Sequence, residues 1–175
     1  MSDTMVRMGE LAASKTVGDM LVTLGLGSCI GLVLLDRRMG VAGLAHVVLP
    51  ESTGHAEVNR FKFADYAVPE LIRRVVALGA RRPMLEAVLV GGASMFASIG
   101  GSMEVGARNE AAVKAQLATA RIRVHASATG GNRGRTVRVD PKTGIVLVRE
   151  AGSKDTQLYP ATLNKLPTRT LQEVA

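Results

Sequence analysis

The chain has 175 residues, of which 47% are hydrophobic, and this length and composition predict one folded domain, not a disordered chain. A single cysteine excludes an internal disulfide, and the three histidines besides it offer no zinc-ligand spacing, so we expect neither a metal nor another cofactor. The net charge of +7 favours an acidic partner or a basic solvated surface, but two Tyr, three Phe and no Trp leave too few stacking side chains for us to expect nucleic acid.

The first residues also bear on location. Asp3, Arg7 and Glu10 precede any apolar run, which is unlike a secretory signal peptide. The longest uncharged stretch, residues 20–35, is Gly-rich and shorter than the roughly 20 apolar residues of a membrane helix. We therefore expect a cytoplasmic protein without membrane insertion.

The first half of the chain predicts strands. Residues 9–15 and 20–25 are expected to be short strands around a turn. Residues 30–36 and 41–49 are apolar runs separated by Arg37-Arg38-Met39-Gly40, so they predict a β-hairpin buried on both faces.

Helical spacing begins after residue 60. Apolar residues between 64 and 78 predict a helix that ends at Gly79, and Pro69 requires this helix either to start near Val68 or to bend there. A second helix is expected over residues 109–121. The remaining predicted elements are strands at residues 85–90 and 122–128 and a hairpin of residues 136–139 and 145–149.

Cys29 lies in the segment Gly25-Leu26-Gly27-Ser28-Cys29, where two glycines bring bare backbone close to the sulfur. The backbone N–H groups of Gly27 and Ser28 in such a bend could hold the oxyanion of a tetrahedral intermediate. A lone buried cysteine is more often a small hydrophobic residue, so the bend alone does not make a nucleophile.

The predicted hairpin also brings a candidate base, His46, close to Cys29. A two-residue loop at Arg38-Met39 places His46 opposite Gly31, so that Cys29 and His46 share a face of the sheet with α-carbons roughly 7–8 Å apart. A nearby imidazole lowers the pKa of a thiol and returns the proton to a departing amine. A bulge would change this register, and His46 could instead be a core histidine bonded to backbone.

Thr23, on the preceding strand, is the residue we expect to orient the imidazole, because its hydroxyl can accept from the second ring nitrogen. A structural strand threonine is the alternative. His55 and His125 are expected to be structural.

Five segments resemble, in order, the CheD family of chemoreceptor glutamine deamidases: TLGLGSCIGLVLLD (23–36), GLAHVVLPES (43–52), VGGASMF (90–96), GARNEAAV (106–113) and TGGNRGR (129–135). The resemblance implies a cysteine amidohydrolase that converts receptor glutamines to glutamate with release of ammonia, with Cys29, His46 and Thr23 matching the family's catalytic residues. It also implies an α/β fold, an α+β sandwich in which mixed β-sheet layers pack against two helices.

On this basis residues 1–160 are predicted to form a single deamidase domain and residues 161–175 a C-terminal tail. The expected partners are the cytoplasmic domains of chemoreceptors and a CheC-type phosphatase, and a non-catalytic module that only docks such a phosphatase or receptor is the alternative function. Asn132, Arg133 and Arg135 are predicted to meet an acidic receptor helix, since polar loop residues on a rigid scaffold often carry binding.

Overall fold

The structure is a computed structural model that describes residues 2–52, 54, 59–94 and 103–162, and the backbone alone at residues 103 and 104. His55, the last two residues of the VGGASMF segment and most of the predicted tail lie outside the described residues. The boundary predicted at residue 160 therefore stays a prediction.

Two five-stranded mixed sheets and two α-helices make up the described fold, which confirms the predicted α+β sandwich. The strands are β1 (Ser2–Met5), β2 (Leu11–Ser14), β3 (Asp19–Leu26), β4 (Ile30–Asp36), β5 (Val41–Val47), β6 (Glu86–Gly91), β7 (Arg123–Thr129), β8 (Arg135–Val139), β9 (Val146–Glu150) and β10 (Thr156–Tyr159). The α-helices are α1 (Ala64–Ala77) and α2 (Met103–Thr119), and two short 3-10 helices span Arg60–Lys62 and Arg82–Met84.

The sheets and helices form three layers. The outer sheet has the order β1-β3-β8-β9-β10, and the middle sheet has the order β2-β5-β4-β6-β7. One hydrophobic cluster joins the middle sheet to the helices, and a second fills the space between the two sheets. Because β4 and β5 lie in the middle layer, every residue of both strands is buried, as the hairpin prediction required.

Side chains of β4 alternate between these two clusters. Ile30, Leu32 and Leu34 pack toward the helices, whereas Val33 and Leu35 pack between the sheets with Cys29 just before the strand. The period of two thus places Cys29 in the inter-sheet layer.

The structure decides between the two alternatives for the start of α1 and corrects the predicted start of α2. α1 begins at Ala64 and continues through Pro69, so a start near Val68 is wrong. It ends as predicted, since Gly79 has φ of +108° and the N–H groups of Gly79 and Ala80 bond the carbonyls of Val76 and Val75. α2 begins at Met103, six residues before the predicted start, because a Gly within the first turns weakened the helical pattern there.

Two strands were not predicted. β1 has four exposed residues and β10 has a mixed exposure, so neither shows an apolar alternation. Both are edge strands of the outer sheet, joined by pairing to β3 and β9. Sheet pairing with distant strands, not local pattern, determines these elements.

Candidate active site

The β4–β5 hairpin brings the predicted base to the inter-sheet face. Gly31 pairs with His46, so the predicted register is confirmed. A side chain at Gly31 would meet Leu26 Cδ1 at 2.8 Å and Val137 Cγ1 at 3.3 Å, both from the outer sheet. The missing side chain therefore lets the outer sheet approach the middle sheet at the level of His46.

Thr23, from β3 of the outer sheet, meets His46 across this gap. The Thr23 hydroxyl is fully buried and lies 2.5 Å from the Val6 carbonyl oxygen and 2.8 Å from His46 Nδ1. A carbonyl only accepts, so the single hydroxyl proton goes to Val6 and Thr23 accepts from His46 Nδ1–H. This bond places the proton of a neutral imidazole on Nδ1 and leaves the Nε2 lone pair free to act as a base.

The imidazole is kept neutral by its surroundings. Burial lowers the pKa of His46 below its ordinary value, and the Val6 carbonyl and the Glu10 carboxylate oppose this effect only in part. His46 is 2% exposed, and its Nε2 atom is buried without a hydrogen-bond partner among the described residues. The structure therefore shows the imidazole oriented but shows no hydrogen bond from it to Cys29.

Burial acts on the Cys29 thiol in the opposite direction. It raises the pKa of Cys29, while the backbone N–H of the same residue lowers this pKa to a smaller extent. Both shifts favour a thiol and a neutral imidazole over an ion pair.

The bend of residues 27–29 is held by its carbonyl groups. Ala93 N–H donates to Gly27 O at 2.8 Å, and Gly92 N–H donates to Cys29 O at 2.9 Å. A side chain at Gly91 would lie 2.1 Å from Cys29 O, so the segment after β6 contacts the bend through bare backbone. Within the described ranges no backbone carbonyl accepts from the N–H groups of residues 27–29.

Comparison with known proteins identifies the family. A family model described as CheD chemotactic sensory transduction matches residues 48–150, more than half of the chain. The chain is 45% identical over 137 residues to the probable chemoreceptor glutamine deamidase CheD of Geobacillus kaustophilus, covering 75% of this chain and 83% of the relative. It is 43% identical over 145 residues to the protein of the same name from Methanococcus vannielii, covering 83% and 93%. The corresponding protein of Clostridium botulinum strain Alaska E43 is 43% identical over 157 residues, covering 87% and 96%.

The chain belongs to the CheD family. The match to the family model starts two residues after His46 and includes three of the five segments quoted above in full: VGGASMF, GARNEAAV and TGGNRGR. In the structure these three segments surround the bend that carries Cys29. The GGAS backbone contacts residues 27 and 29, and Gly130 N–H in turn donates to Gly91 O at 3.0 Å.

Asn109, in the GARNEAAV segment, makes a contact that was not predicted from the sequence. Its side chain is fully buried, and Nδ2 donates to the carbonyl oxygens of Ser28 and Val48, both at 2.9 Å. A signal was present in the sequence, because Asn109 shares one helical face with Val113 and Leu117 and is the polar member of that apolar series.

The three predicted substrate-binding residues, at the loop that precedes β8, lie in different environments. Asn132 and Arg133 are exposed, as a docking role requires. Arg135 is 7% exposed, and its guanidinium donates to the Gly130 and Gly91 carbonyls and pairs with Glu150. This placement favours a structural role for Arg135.

The described residues contain no group of three His, Cys, Asp or Glu side chains that could hold a metal ion. Within the same ranges no helix is both long and apolar enough to cross a membrane. His125, predicted to be structural, lies on β7 with its ring 5.8 Å from the Tyr159 ring.

Proposed function

We propose that this chain is a protein-glutamine deamidase that hydrolyses glutamine side chains of chemoreceptors to glutamate, with Cys29 as nucleophile and His46 as base. The observation that carries the proposal is the buried Thr23–His46 hydrogen bond, with the Thr23 proton committed to Val6. It leaves His46 Nε2 unprotonated on the inter-sheet face that Cys29 shares. The names of the relatives support the same activity.

The reaction begins with proton transfer from the Cys29 thiol to His46 Nε2. The thiolate attacks the carboxamide carbon of the glutamine, and the carbonyl π electrons move to oxygen and form an oxyanion. When the tetrahedral intermediate collapses, the carbon–nitrogen bond breaks and His46 gives its proton to the departing nitrogen, which leaves as ammonia. A thioester remains on Cys29.

Water resolves the thioester by the same route in reverse. His46 Nε2 takes a proton from the attacking water, and the second tetrahedral intermediate expels the Cys29 sulfur, which regains the proton. The products are a glutamate side chain and free enzyme. Thr23 takes no proton in either half and keeps His46 in the tautomer that both halves need.

Backbone N–H groups of the bend are the donors that we assign to the oxyanion. Gly27 and Ser28 are the predicted donors, and the Cys29 N–H, which lies close enough to its own sulfur to lower the thiol pKa, joins them. Preorganised donors of this kind are worth about 10²–10³ in turnover when one is removed.

The substrate and partners follow from the family resemblance. The expected substrates are cytoplasmic helical domains of chemoreceptors, and a CheC-type phosphatase is the expected partner. A cytoplasmic location is part of the same proposal, since the substrate glutamines would lie there.

Incubation with the cytoplasmic domains of the host's receptors, followed by peptide mass spectrometry, tests the proposal. The expected result is a gain of about 1 Da at particular glutamines, dependent on Cys29 and absent with Cys29→Ala. Binding of receptor or phosphatase without any such conversion would support the docking module instead.

A further inference from the structure

The peptide group between Ser28 and Cys29 is held from outside the bend by a side chain. Asn109 reaches it from α2, donating from Nδ2 to Ser28 O at 2.9 Å and, with the other proton, to Val48 O at 2.9 Å. Ser28 precedes the nucleophile by one residue, and Val48 follows the base by two. One buried amide thus joins the two chain segments that carry the proposed catalytic pair.

A peptide group is planar and trans, so its C=O and N–H point in opposite directions. The Ser28 carbonyl and the Cys29 N–H belong to one such plane. A bond that holds Ser28 O toward α2 therefore holds the Cys29 N–H away from α2, consistent with the lowering effect of this N–H on the pKa of the Cys29 thiol. Without the amide, the carbonyl of this peptide has no other partner among the described residues, so nothing else shown fixes its orientation by a hydrogen bond.

The neighbouring peptides are fixed differently. Gly27 O and Cys29 O accept from the backbone N–H groups of Ala93 and Gly92, so no side chain takes part in these two bonds. Among the three carbonyls of residues 27–29, Ser28 O alone is held by a side chain within the described structure. The orientation of the Cys29 N–H is therefore the part of the bend that truncation of a single side chain can release.

Helix α2 packs closely enough against the segment after β6 for Asn109 to reach the bend. A Cβ at Gly106 would lie 2.5 Å from Gly92 O and 2.8 Å from Ala93 O, so the helix backbone touches the segment that also holds Gly27 and Cys29. Asn109 lies three residues further along the helix, on the face it shares with Val113 and Leu117.

We propose that Asn109 is a positioning residue that fixes the Ser28–Cys29 peptide so that its N–H faces the sulfur and the developing oxyanion. This inference rests on the proposed deamidase function for its catalytic consequence, but not for its effect on the thiol. Asn109 touches neither sulfur nor substrate and acts through the peptide group alone.

The test compares Asn109→Asp, which keeps the shape of the side chain but, when ionised, replaces its donors by a negative charge, with Asn109→Ala, which removes the donors without adding charge. The matched control is Val113→Ala, one turn later on the same buried face, which loosens α2 without touching the bend. Each variant is checked by circular dichroism and thermal melting. Two readouts follow: the pH profile of Cys29 alkylation by iodoacetamide without substrate, and kcat and KM of deamidation.

We expect both Asn109 variants to raise the apparent pKa in the alkylation profile, because the thiolate loses an aligned N–H donor. Their kcat should fall about 10- to 100-fold with KM changed less than about twofold, as for a misplaced catalytic group. Val113→Ala should keep the wild-type alkylation profile and kcat even if its melting temperature falls as far as that of the Asn109 variants. If Asn109→Asp does not fold, Asn109→Ala against Val113→Ala decides.

A wild-type profile and kcat in a folded Asn109→Asp variant would overturn the inference, as would an equal loss in Val113→Ala. The alkylation readout needs no glutamine substrate. A shifted profile in a protein that never deamidates would therefore sink the proposed function and leave the positioning role of Asn109 standing.

Discussion

The two ends of the β4–β5 hairpin differ in how their buried polar groups are satisfied. At the turn end, Asp36 is 1% exposed, yet its carboxylate accepts from the Arg81 backbone N–H, from the Arg81 guanidinium twice and from Met39 N–H. Nearby, Arg37 pairs with Glu86, which also accepts from the Tyr159 hydroxyl. This end is a closed hydrogen-bond network.

The open end, where residues 28–30 and 46–48 face each other, contrasts with it. Among the described residues, the buried side-chain polar atoms without a partner are His46 Nε2, Ser94 Oγ and Asn109 Oδ1. His46 and Asn109 lie at this end directly, and Ser94 is bonded to Ala93, which holds Gly27. The three buried atoms that lack a protein partner within the described residues thus all lie around one bend, in contrast to the turn end.

The difference indicates that one strand pair serves two purposes. The polar groups of the turn end are satisfied within the protein, whereas under the proposed function those of the open end are offered to a reacting carboxamide. Substitutions at the two ends should therefore separate activity from stability, and the predictions below are ordered by the size of that separation.

Cys29→Ala is expected to abolish deamidation, at least about 10³-fold, because the covalent route disappears with the sulfur. Stability should change little, since the residue lies at the end of a strand and loses a single atom. Mass spectrometry of the receptor glutamines measures the first effect, and urea unfolding the second. Activity that persisted in this variant would remove the nucleophile assignment.

His46→Ala should lower turnover almost as far, whereas Thr23→Val should cost less, because Thr23 orients the imidazole and transfers no proton. Valine keeps the shape of threonine and removes the hydroxyl, which accepts from His46 Nδ1–H and donates to Val6 O. Steady-state kinetics on both variants provide the comparison. A Thr23→Val variant as inactive as His46→Ala, with native circular dichroism, would require a larger role for the threonine.

Asp36→Ala tests the turn end and should have the reverse profile. It removes the acceptor of the part-buried N–H groups of Met39 and Arg81, so the free energy of unfolding should fall by about 1–3 kcal/mol, with no larger loss expected because Arg81 is 42% exposed. Turnover per folded molecule should be unchanged. Urea denaturation and active-site titration measure the two quantities, and a fall in turnover would show that the ends are coupled.

Parts of this contrast could be predicted from sequence. The register that sets Gly31 opposite His46 followed from two apolar runs and the turn at residues 37–40, because strand periodicity and a short loop are local properties. Thr23 as the orienting residue followed from the family resemblance and from its strand position, and the structure brings it within 2.8 Å of Nδ1.

Other parts depend on contacts that no local pattern encodes. The Asn109 contact requires α2 to cross the open end of a hairpin whose contacted residues lie 81 and 61 positions earlier in the chain. Strands β1 and β10 likewise form by pairing with β3 and β9. The tautomer of His46 likewise depends on Val6, whose carbonyl accepts the hydrogen bond that the Thr23 hydroxyl donates. These are tertiary contacts between segments distant in sequence.

A smaller effect is expected from His46 on the way stability changes with pH. Burial lowers the pKa of His46 in the folded protein, so the unfolded chain binds more protons below its own pKa of about 6.5. Stability from neutral His46 is complete above that pH and is lost as pH falls through the lower folded value. His46→Gln should therefore flatten the melting temperature between pH 7 and 5, and an equally steep decline in this variant would assign the effect to other groups.

The smallest effect is expected at the loop before β8, where two arginines lie one residue apart in different environments. Arg133 is exposed and Arg135 is buried against the Gly91 and Gly130 carbonyls, so the two should not act alike on an acidic receptor helix.

Arg133→Gln should lower the deamidation rate about two- to threefold at low substrate and low salt. The effect should be smaller at physiological salt, where the screening length shortens to about 8 Å and weakens the steering by an exposed charge. Saturated turnover should stay the same. Arg135→Gln should instead lower the melting temperature, since two backbone carbonyls and Glu150 lose their donor. If Arg133→Gln left the salt dependence of the rate unchanged, the exposed arginine would have no part in receptor encounter, and the net charge of the chain would act through other surfaces.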